Sequence, residues 1–309
     1  MNKRSLILVI CCWLMSQAQL KSWWDPGHMV IAMIAYENLA PHAKQQVDAH
    51  VKWIERDYPY INHFVALSTW ADDLKGEGVR VYDSWHYTNL PYNPYNIALP
   101  TMPKVNVVWA IEEARKVLAS DRAREVEQAR QLGFLTHFVG DIHQPLHSTS
   151  YYSQEVPGGD AGGNAFPINS FGKWRNLHMC WDDGCGYLSE YNDINPYGTP
   201  KDGLTEAELE RIKELAHRIM EAHPLAAQKN AYLLDPDFWT LESHKLAIEY
   251  GYRGVLKVED NGRKVYIQKN DAVSEYYLDR GRKVVEEQLA VGGYRLAGVL
   301  NEIFVEDKK

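Results

Sequence analysis

Cysteine and positive charge are what this sequence is short of. The 309 residues hold 4 cysteines, two of which, Cys11 and Cys12, fall inside an N-terminal apolar run. That excludes a small scaffold stapled by several disulfides. Lys and Arg number 33 against 41 Asp and Glu, a formal net charge of −8. Such a balance excludes the basic stripe of a protein that tracks both strands of a duplex. No apolar stretch reaches the roughly 20 residues needed to span a bilayer. No Asn-x-Ser/Thr sequon occurs, so N-linked glycans are not expected. There is no repeat of fixed period and no linker-like segment, and one domain is expected.

The N-terminus reads as a targeting segment. Lys3 and Arg4 precede the apolar run Ser5–Met15, which has the length of a signal-peptide core. Cleavage is expected before Trp23, leaving residues 1–22 as signal peptide and 23–309 as the secreted or periplasmic domain. Ile10 fits poorly before a lipid-modified cysteine, which argues against an anchor at Cys11 or Cys12. Export removes Lys3, Arg4 and Lys21 and no acid, so 30 basic side chains face 41 acidic ones and the net charge becomes −11. Two cysteines remain, Cys180 and Cys185. In an oxidising compartment they are expected to pair as a short disulfide; a metal thiolate pair is the alternative, but no second Cys pair completes a four-ligand site.

Apolar residues recur every three to four positions over Val30–Leu39, His42–Arg56, Val105–Ser120, Arg122–Val139, Glu206–Ala222, Phe238–Leu256 and Asp271–Leu289, which predicts a mainly α fold. Thr205 with Glu208 reads as a capping box. Asp260-Asn261-Gly262 between Val258 and Val265 predicts a small β-hairpin. Residues 150–173, centred on Gly158–Asn164, have the composition of a loop whose backbone approaches a ligand closely, or of a plain surface connection.

The chemistry concentrates in His137-Phe-Val-Gly-Asp141-Ile-His143-Gln-Pro-Leu-His147. His137 and Asp141 are four apart and share a helix face, so they can offer an imidazole and a carboxylate to one metal. Pro145 should kink that helix and turn His147 toward a neighbouring ion. One histidine in a helix is usually a satisfied structural residue; three with an aspartate in eleven positions are not. His178 and Asp182 repeat the i, i+4 pairing. Asp72, Asp73 and Lys75 sit at a predicted helix end, where solvated charge is the ordinary explanation. Trp85-His86-Tyr87 reads as extended chain. His28 lies five residues beyond the expected cut, where a free α-amino group with its own carbonyl could chelate a metal. About nine nitrogen and oxygen ligands suit zinc and exceed a single tetrahedral site; three sites fit the count.

With these units in place, the chain resembles the single-strand-specific tri-zinc nucleases of the nuclease S-one and P-one family, as a bacterial-looking member. The resemblance runs from Trp23 to about Tyr250 and rests on the mature Trp with His five later, Trp-Ala-Asp…Lys, the His-aromatic unit, Gly-Asp-Ile-His-Gln-Pro-Leu-His, Gly-Gly-Asn and Asn-Leu-His…Trp-Asp. It implies a single-domain helical fold shared with zinc phospholipases C. It implies three Zn2+: Asp72, His86 and His137 on one; Trp23, through its amino group and carbonyl, and His28 on a second, with Asp141 bridging; and His147, His178 and Asp182 on the third. It implies catalytic roles for Asp72, Lys75 and Asn164, the last two contacting phosphate, and base contacts from Tyr87 and Asn89. His143 matches the motif without being a ligand and is expected to hydrogen bond behind the ligands. The implied activity is hydrolysis of single-stranded DNA and RNA to 5′-phosphorylated products, with 3′-nucleotidase activity, by a metal-bridging hydroxide. The expected partners are those substrates and nucleotides, with a monomeric enzyme and no stable membrane association. The alternatives are a phospholipase C acting on phosphatidylcholine-type lipids and a zinc-sequestering protein, which would have no need of Lys75 or Asn164.

Overall fold

Close approach of two helices sets the centre of the molecule. α1 (Asp25–Glu37) and α10 (Glu275–Ile303) meet where a Cβ on Gly293 would stand 2.5 Å from the Ile34 side chain, so only glycine fits. α1 is buried from Asp25 to Ala35, as a helix that is apolar on all sides should be. The computed structural model describes residues 23–194 and 202–305; the expected signal peptide lies outside the described residues.

Around this pair pack α2 (Pro41–Ile54), α3 (Phe64–Leu67), α4 (Trp70–Gly76), α5 (Val107–Leu118), α6 (Glu125–Ile142), α7 (Leu177–Asp182), α8 (Glu206–Ala222) and α9 (Pro236–Leu246). α6 is buried on every face from Leu132 to Ile142 and contacts α1, α2, α4, α5 and α10. Two small sheets complete the fold. β1 (Leu90–Tyr92) runs parallel to β2 (Thr149–Tyr151) with Leu90 opposite Thr149, and β3 (Val255–Val258) pairs antiparallel with β4 (Lys264–Tyr266). Among the described residues, no helix is long and apolar enough to cross a membrane.

The mainly α expectation holds, as do the hairpin and the Thr205 capping box, in which Glu208 N–H donates to Thr205 Oγ1 at 3.2 Å and Thr205 N–H to Glu208 Oε2 at 2.8 Å. Other boundaries move for physical reasons. The last helix, expected to stop at Leu289, runs on to Ile303, because Gly292 and Gly293 pack against His143 and Ile34 instead of ending it. The segment expected as helix to Leu256 leaves α geometry after Leu246 and forms a π-helical turn, Ala247–Tyr252. His86 sits in a 3-10 turn, Asp83–His86, and not in extended chain. α4, α7 and the parallel β1–β2 pair, all short, carry no periodic signal.

One buried cation ties three helices. Arg295 is fully buried; its Nη1 donates to His143 Nε2 at 2.9 Å and lies 2.8 Å from Glu242 Oε2 on α9. His143 Nδ1 donates to the Val139 carbonyl at 2.7 Å. Burial and the nearby guanidinium push the His143 pKa down to about 3, so the ring is neutral and accepts from Arg295. This corrects the expected role: His143 hydrogen bonds to no ligand side chain but staples the C-terminal end of α6 to α10. Removing one member of a buried charged set leaves the others uncompensated. Arg295→Met is therefore expected to cost about 3 kcal/mol in urea unfolding at unchanged m value, and a loss below about 1 kcal/mol would remove the staple from the account.

Candidate metal centre

The last two turns of α6 carry His137 and Asp141 into the protein interior, where neither is solvent-accessible. Side chains from four other segments converge on them: His28 from α1, Asp72 from α4, His86 from its 3-10 turn, and His147 from the 3-10 turn Pro145–Ser148 that follows α6. Pro145 begins that turn, and α6 has already ended at Ile142, so a helix end stands where a kink was expected. His178 and Asp182 come from α7, which Asn176 caps by accepting from Met179 N–H.

Three groups of candidate ligands result, each with its donor atoms within 4.8 Å of one another: His28, His137 and Asp141; Asp72, His86 and His137; and His147, His178 and Asp182. Asp141 Oδ2 lies 2.9 Å from His86 Nδ1 and 3.3 Å from His137 Nε2, and Asp141 Oδ1 lies 3.7 Å from His28 Nε2. One carboxylate thus faces histidines of two groups. The His28 and His137 rings stack with centroids 3.9 Å apart.

Backbone carbonyls aim most of these rings. His137 Nδ1 donates to Ser68 O at 2.8 Å, His147 Nδ1 to His86 O at 2.7 Å and His178 Nδ1 to Gly162 O at 2.6 Å. Each bond fixes the tautomer and leaves Nε2 as a lone-pair donor. Gln144 does the same for a carboxylate: its Nε2 donates to Asp182 Oδ1 at 2.6 Å, while its Oε1 accepts from Leu146 N–H at 2.6 Å. Sequence reasoning passed over Gln144, although its place inside the His-rich motif was the available signal.

The buried donor atoms fit metal ions. Among the described residues, both nitrogens of His28 and Nε2 of His86 are buried without a hydrogen-bond partner; each such atom costs about 1–3 kcal/mol if left unmatched. Burial and the adjacent His137 hold the His28 pKa well below the ordinary imidazole value, and burial with Lys75 and His137 does so for His86. Both are neutral, the form that binds a cation. Burial opposes ionisation of Asp72, but Lys75, His137, His86 and His28 outweigh it and hold the carboxyl well below its usual range.

The family model described as S1/P1 Nuclease matches residues 23–305. The chain belongs to the S1/P1 nuclease family. It is 27% identical to Endonuclease 2 of Arabidopsis thaliana, with 97% of each chain covered. It is 26% identical to Nuclease S1 of Aspergillus oryzae over 96% of this chain and 97% of that protein. Nuclease P1 of Penicillium citrinum is 25% identical, over 91% of this chain and 97% of its own length.

The other expected site residues of this family member surround the three groups. Lys75 is buried and its Nζ lies 2.8 Å from Asp72 Oδ1, an ion pair inside the protein and not a solvated helix end. Asn164 stands at the end of the glycine-rich loop, with Nδ2 donating to Ala161 O at 2.9 Å. Tyr87 and Asn89 line one cavity of about 270 Å3 together with Thr101, Met102, Tyr152 and Gly158. Trp23 is fully buried, and its indole donates to Gly140 O at 3.0 Å, one residue from Asp141. The expected disulfide is not formed: Cys180 and Cys185 are free thiols. Both are buried near Asp183, where Gly281 leaves room for the Cys185 sulfur. Burial and the Cys185 side chain push the Cys180 thiol well up, which favours its protonated form.

Gly140 separates helix stability from ligand placement. A Cβ there would stand 2.4 Å from His28 Nδ1. On helix propensity alone Gly140→Ala should stabilise α6 by up to about 1 kcal/mol. It is expected instead to displace the His28 ring and lower bound metal by one equivalent in elemental analysis. Full metal content in that variant would show that His28 is not a ligand.

Proposed function

We propose that residues 23–309 form one secreted or periplasmic catalytic domain, a zinc-dependent phosphodiesterase. It cuts single-stranded DNA and RNA to 5′-phosphorylated products, releases phosphate from 3′-nucleotides, and works as a monomer without stable membrane association. The main support is one meeting of features: three buried His/Asp groups, and a cavity whose wall of Tyr87, Thr88 and Asn89 follows His86 in the chain and is tied to His147 by Thr88 N–H donating to His147 O at 3.0 Å.

In this account Asp72, His86 and His137 hold one zinc. Trp23, by its amino group and carbonyl, and His28 hold a second, with Asp141 between the two. His147, His178 and Asp182 hold the third. The burial of Trp23 beside Gly140, and a family match that starts at residue 23, support a mature N-terminus at that point. Bound zinc lowers the pKa of water from about 15.7 to roughly 7 and offsets charge on phosphate oxygens.

The chain's own residues supply the rest. Asp72, kept ionised by Lys75, orients the attacking oxygen toward phosphorus. Lys75 Nζ, near that oxygen, adds positive charge where the transition state gains negative charge. Asn164 has a second amide hydrogen beyond the one spent on Ala161, and it donates to a phosphate oxygen. Tyr87 stacks on a base, worth about 1–3 kcal/mol, which an unpaired base reaches at least cost. Asn89 presents both a donor and an acceptor to the base edge.

Purified exported protein should hydrolyse denatured DNA and RNA and leave 5′-phosphates. Chelation and Asp72→Ala should each abolish that activity. Phosphatidylcholine assayed in parallel should be left intact, and lipid turnover without nuclease activity would overturn the proposal. Tyr87→Ala should raise KM by about tenfold with a smaller change in kcat; an effect on kcat alone would take Tyr87 out of base binding.

A further inference from the structure

The glycine-rich loop holds a backbone conformation that needs an external support. Of residues 159–163, Gly159, Ala161, Gly162 and Gly163 all have positive φ, between 53° and 87°. Ala161 gains nothing from that region by itself. The one residue of this stretch outside it is Asp160, which is fully buried.

Asp160 is surrounded by donors. Its Oδ1 accepts from Tyr252 hydroxyl at 2.8 Å, from Tyr151 N–H at 2.9 Å and from Ser150 hydroxyl at 3.4 Å. Its backbone is tied as well: Asp160 N–H donates to Tyr151 O, and Asp160 O accepts from Ala165 N–H, both at 3.0 Å. Tyr252 closes the π-helical turn that follows α9. A π-turn interrupts an α-helix at a cost and commonly marks a functional position; here it delivers one hydroxyl to one carboxylate.

The loop so pinned faces the third ligand group. Gly162 O receives His178 Nδ1–H at 2.6 Å. A Cβ at Gly162 would stand 2.5 Å from Leu146 O, the residue before His147. The loop therefore packs against His178 and the backbone just before His147, whose two rings lie with centroids 4.9 Å apart, and its end carries Asn164.

We propose that Asp160, held by Tyr252, is a positioning residue for the third metal site: it fixes the 158–164 loop so that Gly162 aims His178 and Asn164 faces the phosphate. This rests on the proposed three-zinc assignment. Asp160 touches neither ligand nor substrate, and its effect passes through the Gly162 carbonyl. Replacement of its carboxylate by an amide keeps the shape but removes the charge that Tyr252, Tyr151 and Ser150 meet at Oδ1 and puts an N–H2 group in the buried place of Oδ2.

The test compares parent, Asp160→Asn and Tyr252→Phe as exported protein, with zinc counted after stepwise chelation. Kinetics are run on a 3′-nucleotide and a single-stranded oligonucleotide, with and without added Zn2+. In Asp160→Asn the third zinc should leave at roughly 10- to 100-fold lower chelator. Its kcat should fall by a similar factor, be partly restored by excess Zn2+, and change more than KM. Tyr252→Phe should shift the same quantities in the same direction by a smaller factor, and it decides the matter if Asp160→Asn does not fold. Zinc retention equal to the parent's overturns this proposal, whatever happens to activity, because a merely structural role would lower stability without moving the third zinc. A parent that binds fewer than three zinc ions overturns the ligand assignment, and this inference with it.

Discussion

Everything in this structure answers to one constraint: α6 carries an imidazole and a carboxylate through the middle of an apolar core. His137 and Asp141 are fully buried on a helix that is itself buried on every face. Polar groups in that position cost several kcal/mol unless matched. The protein matches the outer side of each group and leaves the inner side to its neighbours. His137 gives Nδ1–H to Ser68 and keeps Nε2 toward Asp141 and Asp72. His147 and His178 follow the same rule with His86 O and Gly162 O. The inner atoms converge, and a cation satisfies converging lone pairs better than any side chain the fold could supply. Metal binding and folding are thus coupled through the same atoms.

Glycine records where this arrangement needs space. At Gly140 the missing Cβ admits the His28 ring, at Gly162 it admits the Leu146 carbonyl, and at Gly293 it lets α1 approach α10. The third case serves the first, because α1 carries His28, and its distance from α6 depends on how closely it packs against α10. The staple from Arg295 to His143 then holds the end of α6 from the opposite side. A helix that bears candidate ligands on one face is fixed by a buried cation on the other, and those side chains inherit its rigidity.

The parts of this that were legible in the sequence are those written locally. The i, i+4 spacing of His137 and Asp141, the proline after the helix, the Thr205–Glu208 box and the Asp-Asn-Gly hairpin each depend on neighbours within a few positions. What was not legible depends on partners far along the chain. Gly292-Gly293 looks like a helix end until Ile34 is known to lie against it. Lys75 beside Asp72 looks like solvated charge until burial is known. His143 has the same neighbours as the ligands but a different azimuth on the helix, one position past Ile142, and that turns it toward Arg295. Gln144 was hidden because an amide in a histidine motif has no metal-ligand signature. Its role appears only when α7 brings Asp182 to it from 38 positions away.

Charge gives the last step. Cut before Trp23 as proposed, the chain would carry 30 basic and 41 acidic side chains and repel a polyanion at long range. Three of those acids, Asp72, Asp141 and Asp182, are buried in the ligand groups and count as negative only while the site is empty. Under the proposed loading, three divalent cations outweigh them and reverse the sign locally, with Lys75 adding to the same point. The attraction is then confined to the cleft and screened beyond about 10 Å at moderate salt. A duplex, stiff and charged along its whole length, gains little from so short a field. On the proposed site roles, a flexible strand would bring one phosphate to the metals and one base to Tyr87 while the rest stays in solvent. Preference for unpaired substrate then follows from electrostatics as well as from stacking, without any residue that recognises a single strand as such.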